Sequence, residues 1–198
     1  MFSAYYNQKT LLITGTTGFL GKVILEKVLR TFPNIGRIYV SLRVKSGQEE
    51  AAYDRYKKEI KDSAIFDALK KELGMKAWRK LLKKKLRLLP MDLQREDLGL
   101  TPKSLSELQA NLNVIINSAG TVEFDTRLDI ATDINVTGAL QLMRLAESCS
   151  KFDVFCQVST LFAISDRVGF IDEKFYEPSR DWVKDYESIR GMTVGEIT

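Results

Sequence analysis

The chain has 198 residues, of which 44% are apolar, and its 30 Lys and Arg against 26 Asp and Glu give a formal charge of +4. This length predicts one domain with a substantial core, and so mild an excess of positive charge does not indicate a nucleic-acid partner. No apolar run approaches the ~20 residues that a membrane span requires. The lack of histidine excludes a Ser-His-Asp triad, a Cys-His dyad and a histidine-ligated metal. Two cysteines, Cys149 and Cys156, are too few for a zinc site or a disulfide framework, so we expect no metal and a reducing compartment.

The N-terminal part of the chain predicts a strand, a helix and a second strand. An apolar run over 9–14 is typical of a strand buried on both faces, and Gly15 ends it. Over 18–30 the apolar residues recur at helical spacing. A second strand follows over 37–42. A connection of this length between buried strands implies a right-handed crossover and a parallel pair.

A segment rich in Lys, Arg and Glu follows, from about residue 48 to about residue 85. Its apolar residues are spaced helically, and we predict two helices with breaks near Ser63 and Gly74. The excess of positive charge has two interpretations. It is either a solvated helical face with paired charges or a dock for CoA phosphates or an anionic membrane surface.

The rest of the chain continues to alternate strands and helices. The predicted elements are strands and helices over 86–89, 102–108, 113–117, 128–149 and 154–158. After Phe162 the pattern has no clear period. The alternation predicts an α/β fold, a Rossmann-like doubly wound parallel sheet with helices on both faces and a helical insertion between strands 2 and 3. We expect one domain over 1–198.

Three glycines at a spacing of three residues, Gly15, Gly18 and Gly21, lie between the first strand and the first helix. In a dinucleotide site the first glycine permits the tight turn, the second admits the pyrophosphate and the third lets the helix pack on the sheet. The helix N-terminus then offers its free N–H groups to the phosphates. The alternative is a plain tight turn. We predict that the loop binds a cofactor through Gly15, Thr16, Thr17, Gly18, Phe19, Leu20 and Gly21.

The end of the second strand carries Arg43 and Lys45 where NAD-binding proteins place an acid. A cation at this position attracts the 2′-phosphate of NADP, and arginine can meet it with two parallel hydrogen bonds. The sequence therefore favours NADPH. The alternative is that both cations are merely solvated.

Small and polar residues also follow the other strands, at the edge where ligands of such sheets bind. Asp92 and Leu93 follow the third strand, where the carboxylate either accepts a hydrogen bond from the adenine or caps a turn. The fourth strand leads into residues that suit the nicotinamide ribose, Ser118, Ala119, Gly120 and Thr121. The hydroxyls of Ser159 and Thr160 follow the fifth strand and suit a substrate carbonyl.

Together these motifs resemble the extended short-chain dehydrogenases/reductases, and within that group the fatty acyl-CoA reductases. Segments 17–27, 41–45, 117–125 and 135–139 are similar to that family's own, and the resemblance runs from about residue 9 to about residue 177. It implies that NADPH reduces a long-chain fatty acyl-CoA to a primary fatty alcohol. This chain would be the cofactor-binding part.

The resemblance also implies roles for individual residues. Thr160, and after it Ser159, matches the hydroxyl that orients the carbonyl, and Asn135 matches an asparagine that supports a proton relay. The family's Tyr-x-x-x-Lys pair should follow Thr160, but Tyr176 and Tyr186 have arginine at that spacing. A literal match over 53–57 lies in the insertion, and we interpret it as chance. We therefore expect the pair beyond residue 198 and an inactive isolated chain.

Two other readings of the sequence stay open. One is a different extended reductase, of the nucleotide-sugar or carboxylic-acid reductase type, although the helical insertion argues against the sugar enzymes. The other is a non-catalytic NADP-binding protein. For the acyl-CoA reductase we expect a location facing the cytosol, at a peroxisomal or endoplasmic reticulum membrane, with peripheral membrane contact through a C-terminal part.

Overall fold

The computed structural model describes residues 2–43, 49–193 and 195, and within them five strands form one parallel sheet. The strand order is β3-β2-β1-β4-β5, which confirms the predicted doubly wound topology. The bounds of the strands are β1 Leu11–Ile13, β2 Ile38–Leu42, β3 Leu86–Pro90, β4 Val114–Asn117 and β5 Val154–Gln157.

Strand β1 lies at the centre of the sheet. Its Leu12 is paired with Tyr39 of β2 on one side and with Ile115 of β4 on the other. All three residues of β1 are fully buried, as the apolar run predicts. Because the chain leaves β1 toward β2 and reaches β4 only later, the strand order reverses between β1 and β4, where such sheets bind ligands.

Helices surround this sheet. The α-helices of the described residues are α1 Phe2–Tyr5, α2 Phe19–Thr31, α3 Glu49–Arg55, α4 Asp67–Leu73, α5 Met75–Lys85, α6 Pro102–Asn111, α7 Leu128–Thr132, α8 Gly138–Glu147 and α9 Trp182–Gly191. Two π-helical segments, Tyr56–Lys61 and Asp133–Thr137, continue α3 and join α7 to α8. Short 3₁₀ turns cover Ala64–Phe66 and Leu161–Ile164.

Successive residues of a strand point to opposite faces, and each face has its own apolar cluster. Leu11 and Ile13 join a cluster with α2 and the insertion, in which the rings of Phe66 and Trp78 lie 5.4 Å apart. Leu12 joins the opposite cluster, which α6 and α8 complete. The prediction of helices on both faces is therefore confirmed.

The insertion breaks where the sequence predicts, but it holds more helical segments than the two predicted. The chain is extended at Ser63, and Gly74 has a φ of +75° that glycine adopts without strain. The pieces on either side of the two breaks are all helical. Trp78 of α5 is 1% exposed, so the insertion is packed firmly on the sheet.

Helix α9 is the longest element of the described residues that the sequence analysis did not predict; the short α1 and the 3₁₀ turn Leu161–Ile164 were not predicted either. Its N-cap is Asp181, whose carboxylate accepts hydrogen bonds from the backbone N–H groups of Val183 and Lys184, both at 3.2 Å. An aspartate N-cap is a recognisable sequence signal, but no regular apolar face follows it. Within the described residues, no helix has the length and apolar character needed to cross a membrane.

Candidate cofactor site

The carboxyl ends of β1, β2, β3 and β4 border a cleft of about 540 Å³. Its walls combine the glycine loop, the ends of these strands, one arginine of the insertion and the first turns of the helix after β4. The lining residues are Gly15, Thr17, Gly18, Ser41, Arg43, Arg55, Met91, Asp92, Leu93, Gln94, Ser118, Ala119, Gly120, Thr121, Val122, Glu123, Thr126, Ile130 and Ile134.

The three glycines of the loop have distinct structural roles. Gly15 has a φ of +67°, and a Cβ there would lie 2.5 Å from the carbonyl oxygen of Ser118. A Cβ on Gly21 would lie 2.2 Å from the carbonyl oxygen of Gly15. Gly18 lines the cleft, and its nearest such contact is 3.3 Å, so its lack of a side chain leaves space on the cleft side.

Helix α2 begins at the cleft. Its N-cap is Gly18, which has no side chain that could cap the first turn. The N–H groups of a first helical turn have no partner within the helix, and together with the helix dipole they attract phosphate. The open space at Gly18 and these N–H groups fit a pyrophosphate.

The other loop residues divide between cleft and scaffold. Thr17 lines the cleft, whereas Thr16 is fully buried and donates its hydroxyl to the carbonyl oxygen of Ser41 at 3.0 Å. The side chains of Phe19 and Leu20 are 77% and 45% exposed and do not line it. Their predicted cofactor contact therefore depends on their backbone N–H groups, and Gly21 acts by packing α2 against the loop.

A buried network joins the glycine loop to the end of β4. The hydroxyl of Thr14 donates to Oδ1 of Asn117 and accepts hydrogen bonds from the backbone N–H groups of Ser118 and Ala119, at 3.2 and 3.1 Å. Ser118 in turn donates its hydroxyl to the Thr14 carbonyl oxygen at 2.7 Å. Thr14 thus fixes both loops of the cleft relative to each other, a role that the sequence did not reveal.

The predicted 2′-phosphate end contains Arg43, at the end of β2, with an exposed side chain. Lys45, the other predicted cation, lies outside the described residues. Arg55, the last residue of α3, also lines the cleft there, and its Nη1 donates to the backbone carbonyl of Arg43 at 2.6 Å. Sequence reasoning missed Arg55 because it lies in the insertion.

Asp92 and Leu93 line the cleft after β3, as predicted for the adenine end. One carboxylate oxygen of Asp92 accepts a hydrogen bond from the N–H of Gln94 at 3.1 Å. Asp92 therefore holds a turn and also borders the cleft, so the two alternatives are compatible. Leu93 packs against Gly138, where a Cβ would lie 2.9 Å from the leucine Cβ.

The loop after β4 forms the opposite end of the cleft. Asn135 grips this loop, because its Oδ1 accepts from the N–H of Thr121 at 2.9 Å and its Nδ2 donates to the Thr121 carbonyl oxygen at 3.2 Å. A Cβ on Gly120 would lie 2.9 Å from Asn135 Oδ1, so glycine permits this approach. Asn135 thereby positions the predicted nicotinamide loop, and its part in a proton relay stays a prediction.

Ser159 and Thr160 follow β5 at the same edge of the sheet, but neither is among the residues that line the cleft. Both are exposed. The Thr160 hydroxyl oxygen accepts a hydrogen bond from the N–H of Phe162 at 3.3 Å. Phe162 also meets Phe124 of the β4 loop edge to face, with ring centroids 5.3 Å apart. The catalytic roles of Ser159 and Thr160 stay predictions.

The family model described as male sterility protein, an NAD-binding domain, matches residues 13–196. The chain belongs to this family. The match begins at the last residue of β1 and includes the other four strands, the insertion and the lining residues of the cleft. With a dinucleotide cradle and Arg43 rather than an acid at the end of β2, the cofactor of this domain is NADPH.

Curated relatives carry the name that the sequence motifs suggest. Fatty acyl-CoA reductase 2 of Mus musculus is 34% identical over 99% of this chain and 38% of its own length. Fatty acyl-CoA reductase 2, chloroplastic, of Arabidopsis thaliana is 40% identical over 86% of this chain and 27% of its own length. The resemblance is therefore confirmed, and the chain spans well under half the length of these relatives.

Solved structures of reductase domains have the same fold. The terminal R domain from the myxalamid PKS-NRPS pathway is 26% identical, with a TM-score of 0.60 over 78% of this chain and 36% of that domain's chain. The reductase domain of a nonribosomal peptide synthetase from Mycobacterium tuberculosis is 27% identical, also with a TM-score of 0.60, over 81% and 35%. The predicted Rossmann-like fold of the reductase type is confirmed.

Proposed function

We propose that the protein reduces long-chain fatty acyl-CoA to primary fatty alcohol with NADPH, and that this chain is its cofactor-binding part. One observation carries the proposal: the glycine cradle and Arg43 border the same cleft, as a dinucleotide with a 2′-phosphate requires. The names of the relatives support acyl-CoA as the substrate.

The residues of the chain would divide the work along the cleft. The loop at Gly18 and the start of α2 bind the pyrophosphate, and Arg43 binds the 2′-phosphate. Bound there, NADPH supplies the hydride. Asn135 holds the Thr121 backbone in place, so the nicotinamide meets a preformed wall.

Thr160 is suited to orient the substrate carbonyl. Its hydroxyl oxygen already accepts from the N–H of Phe162, and the hydroxyl hydrogen can still donate to a carbonyl oxygen. The neighbouring Ser159 offers a second hydroxyl. A hydrogen bond to the carbonyl oxygen stabilises the negative charge that hydride addition places on it.

An exposed apolar surface beside this edge supports a substrate with a long acyl chain. Four side chains of the loops after β4 and β5 are mostly exposed: Val122 88%, Phe124 86%, Leu161 85% and Phe162 65%. Covering such apolar surface with an alkyl chain is favourable by roughly 25 cal/mol per Å² of surface removed from water. An alkyl chain that approaches from this side would place its thioester near Thr160.

The test has a binding step and a chemical step. This chain should bind NADPH in a fluorescence titration. A longer protein that contains it should oxidise NADPH when palmitoyl-CoA is added, with fatty alcohol detected by gas chromatography. The Gly18→Val variant should lose both signals. NADPH binding without any acyl-CoA reduction by the longer protein would refute the substrate assignment.

A further inference from the structure

Arg55 belongs to the helical insertion, yet its side chain reaches the cofactor cleft. Its guanidinium is held at two points: Nη1 donates to the Arg43 carbonyl oxygen at 2.6 Å, and Nε and Nη2 donate to Glu59 at 3.0 and 3.3 Å. The side chain is 39% exposed. Arg55 is therefore oriented by the protein and still open to the cleft that it lines.

These contacts leave part of the guanidinium available. Within the described part of the chain, the three hydrogen bonds use three of its five N–H groups, and the two that remain are both on the Nη nitrogens. That pair of N–H groups can meet two oxygens of one phosphate. Because Glu59 and the Arg43 backbone already hold the side chain, little rotamer entropy is lost when a ligand binds.

We propose that Arg55 is a second residue that determines specificity for the 2′-phosphate of the cofactor. The inference rests on the proposed NADPH site and extends it. Arg43 approaches the phosphate from the end of β2, and Arg55 approaches it from the insertion, so two successive elements of the chain form one clamp. The insertion thereby takes part in cofactor recognition in addition to covering the sheet.

The competing explanation is that Arg55 only ties the insertion to the end of β2. The two explanations differ in what they predict for ligands that differ by one phosphate. If Arg55 has only this structural role, its replacement would lower the affinity for all adenosine ligands and the stability of the fold alike. If Arg55 binds the 2′-phosphate, its replacement would lower the affinity only for ligands that carry this phosphate.

The experiment is calorimetric titration of this chain with 2′,5′-ADP and with 5′-AMP, which differ only in the 2′-phosphate. The variants are Arg55→Gln and Arg55→Lys, with Lys58→Gln as a matched control, because Lys58 is an exposed cation close by that does not line the cleft. Thermal unfolding is followed for each variant.

We expect the wild-type chain to prefer 2′,5′-ADP. In Arg55→Gln this preference should fall by roughly tenfold or more, the loss of a charge-assisted hydrogen bond, with 5′-AMP affinity unchanged. Arg55→Lys keeps the charge without the fork and should keep part of the preference. Lys58→Gln should bind both ligands as the wild type does.

Two results would overturn the inference: an unchanged preference in Arg55→Gln, or an equal loss of affinity for both ligands. If Arg55→Gln does not fold, Arg55→Lys decides, and a preference equal to the wild type's would count against the clamp. A wild-type chain without any preference for 2′,5′-ADP would instead refute the NADPH site itself.

Discussion

Gly21 of α2 lies directly against Gly15 of the loop, so close that a Cβ on Gly21 would be 2.2 Å from the Gly15 carbonyl oxygen. The contact is with backbone, which cannot rotate away as a side chain can. We predict that Gly21→Ala lowers the free energy of unfolding by about 1–3 kcal/mol, the usual cost of overpacking. Urea unfolding measures this, with Gly191→Ala as the control, since a Cβ on Gly191 meets nothing within 4 Å. Equal stability of the two variants would mean that α2 can shift without cost.

Gly18 should behave differently from Gly21. Its φ of −74° is open to any residue, and a Cβ would have only one contact, 3.3 Å from the Gly15 carbonyl oxygen. We predict that Gly18→Val folds nearly as well as the wild type but does not bind NADPH, because the side chain takes the space of the pyrophosphate. Circular dichroism and calorimetry separate these effects. If the variant binds NADPH normally, the glycine loop is only a tight turn and does not bind the pyrophosphate.

Arg43 should set the choice between the two nicotinamide cofactors. A charge-assisted hydrogen bond to the 2′-phosphate contributes roughly 1.5–3 kcal/mol. We predict that Arg43→Asp removes the preference for NADPH over NADH in fluorescence titrations. Arg79→Asp, the same change at an exposed position of α5 away from the cleft, should keep it. A persistent preference in Arg43→Asp would assign the selection to other cations.

The Thr14 hydroxyl should contribute more to the free energy of unfolding than a single hydrogen bond does. Thr14→Val leaves the partly buried N–H groups of Ser118 and Ala119 without this acceptor. We predict a loss of about 1–3 kcal/mol in the free energy of unfolding. Thr14→Ser keeps the hydroxyl and should lose less. Urea unfolding of both variants compares them, and identical losses would place the effect in the methyl group.

Tyr56 should give the fold a specific alkaline sensitivity. Burial raises its pKa to about 12, from a value near 10 in the unfolded chain. Between about pH 10 and about pH 12 the unfolded state releases a proton that the folded state keeps, so stability is full below this window and falls as pH rises through it. Tyr56→Phe should flatten this decline in unfolding experiments. Tyr53→Phe, at a side chain 59% exposed, should not.

The sequence predicted those parts of the site that are encoded locally. The glycine loop, Arg43 and the residues after β3 and β4 each lie at the end of a strand, and parallel strands bring their carboxyl ends to one edge. The alternation of apolar runs and helical periods predicted the doubly wound parallel sheet, because crossover connections have a fixed hand. The order of the strands was not part of that prediction.

Contacts between distant segments were beyond such reasoning. The bond from Thr14 to Asn117 spans 103 residues, and the bond from Arg55 to Arg43 depends on how the insertion folds back. The grip of Asn135 on Thr121 depends on the π-helical segment Asp133–Thr137, which helical periodicity does not reveal. The chemistry of a single side chain can be predicted from the sequence, but its contacts with other segments of the fold cannot.

The same long-range pairing bears on the order in which the domain assembles during synthesis. β1 can pair with β2 soon after it is made, but Leu11 can pair with Val114 of β4 only after the whole chain between them has been synthesised. Since Ser118 and Ala119 seat the glycine loop through Thr14, the nucleotide cradle cannot form on a nascent chain that lacks β4. Closing so long a loop is slow, so we expect the ability to bind nucleotide to be among the last properties the growing domain acquires.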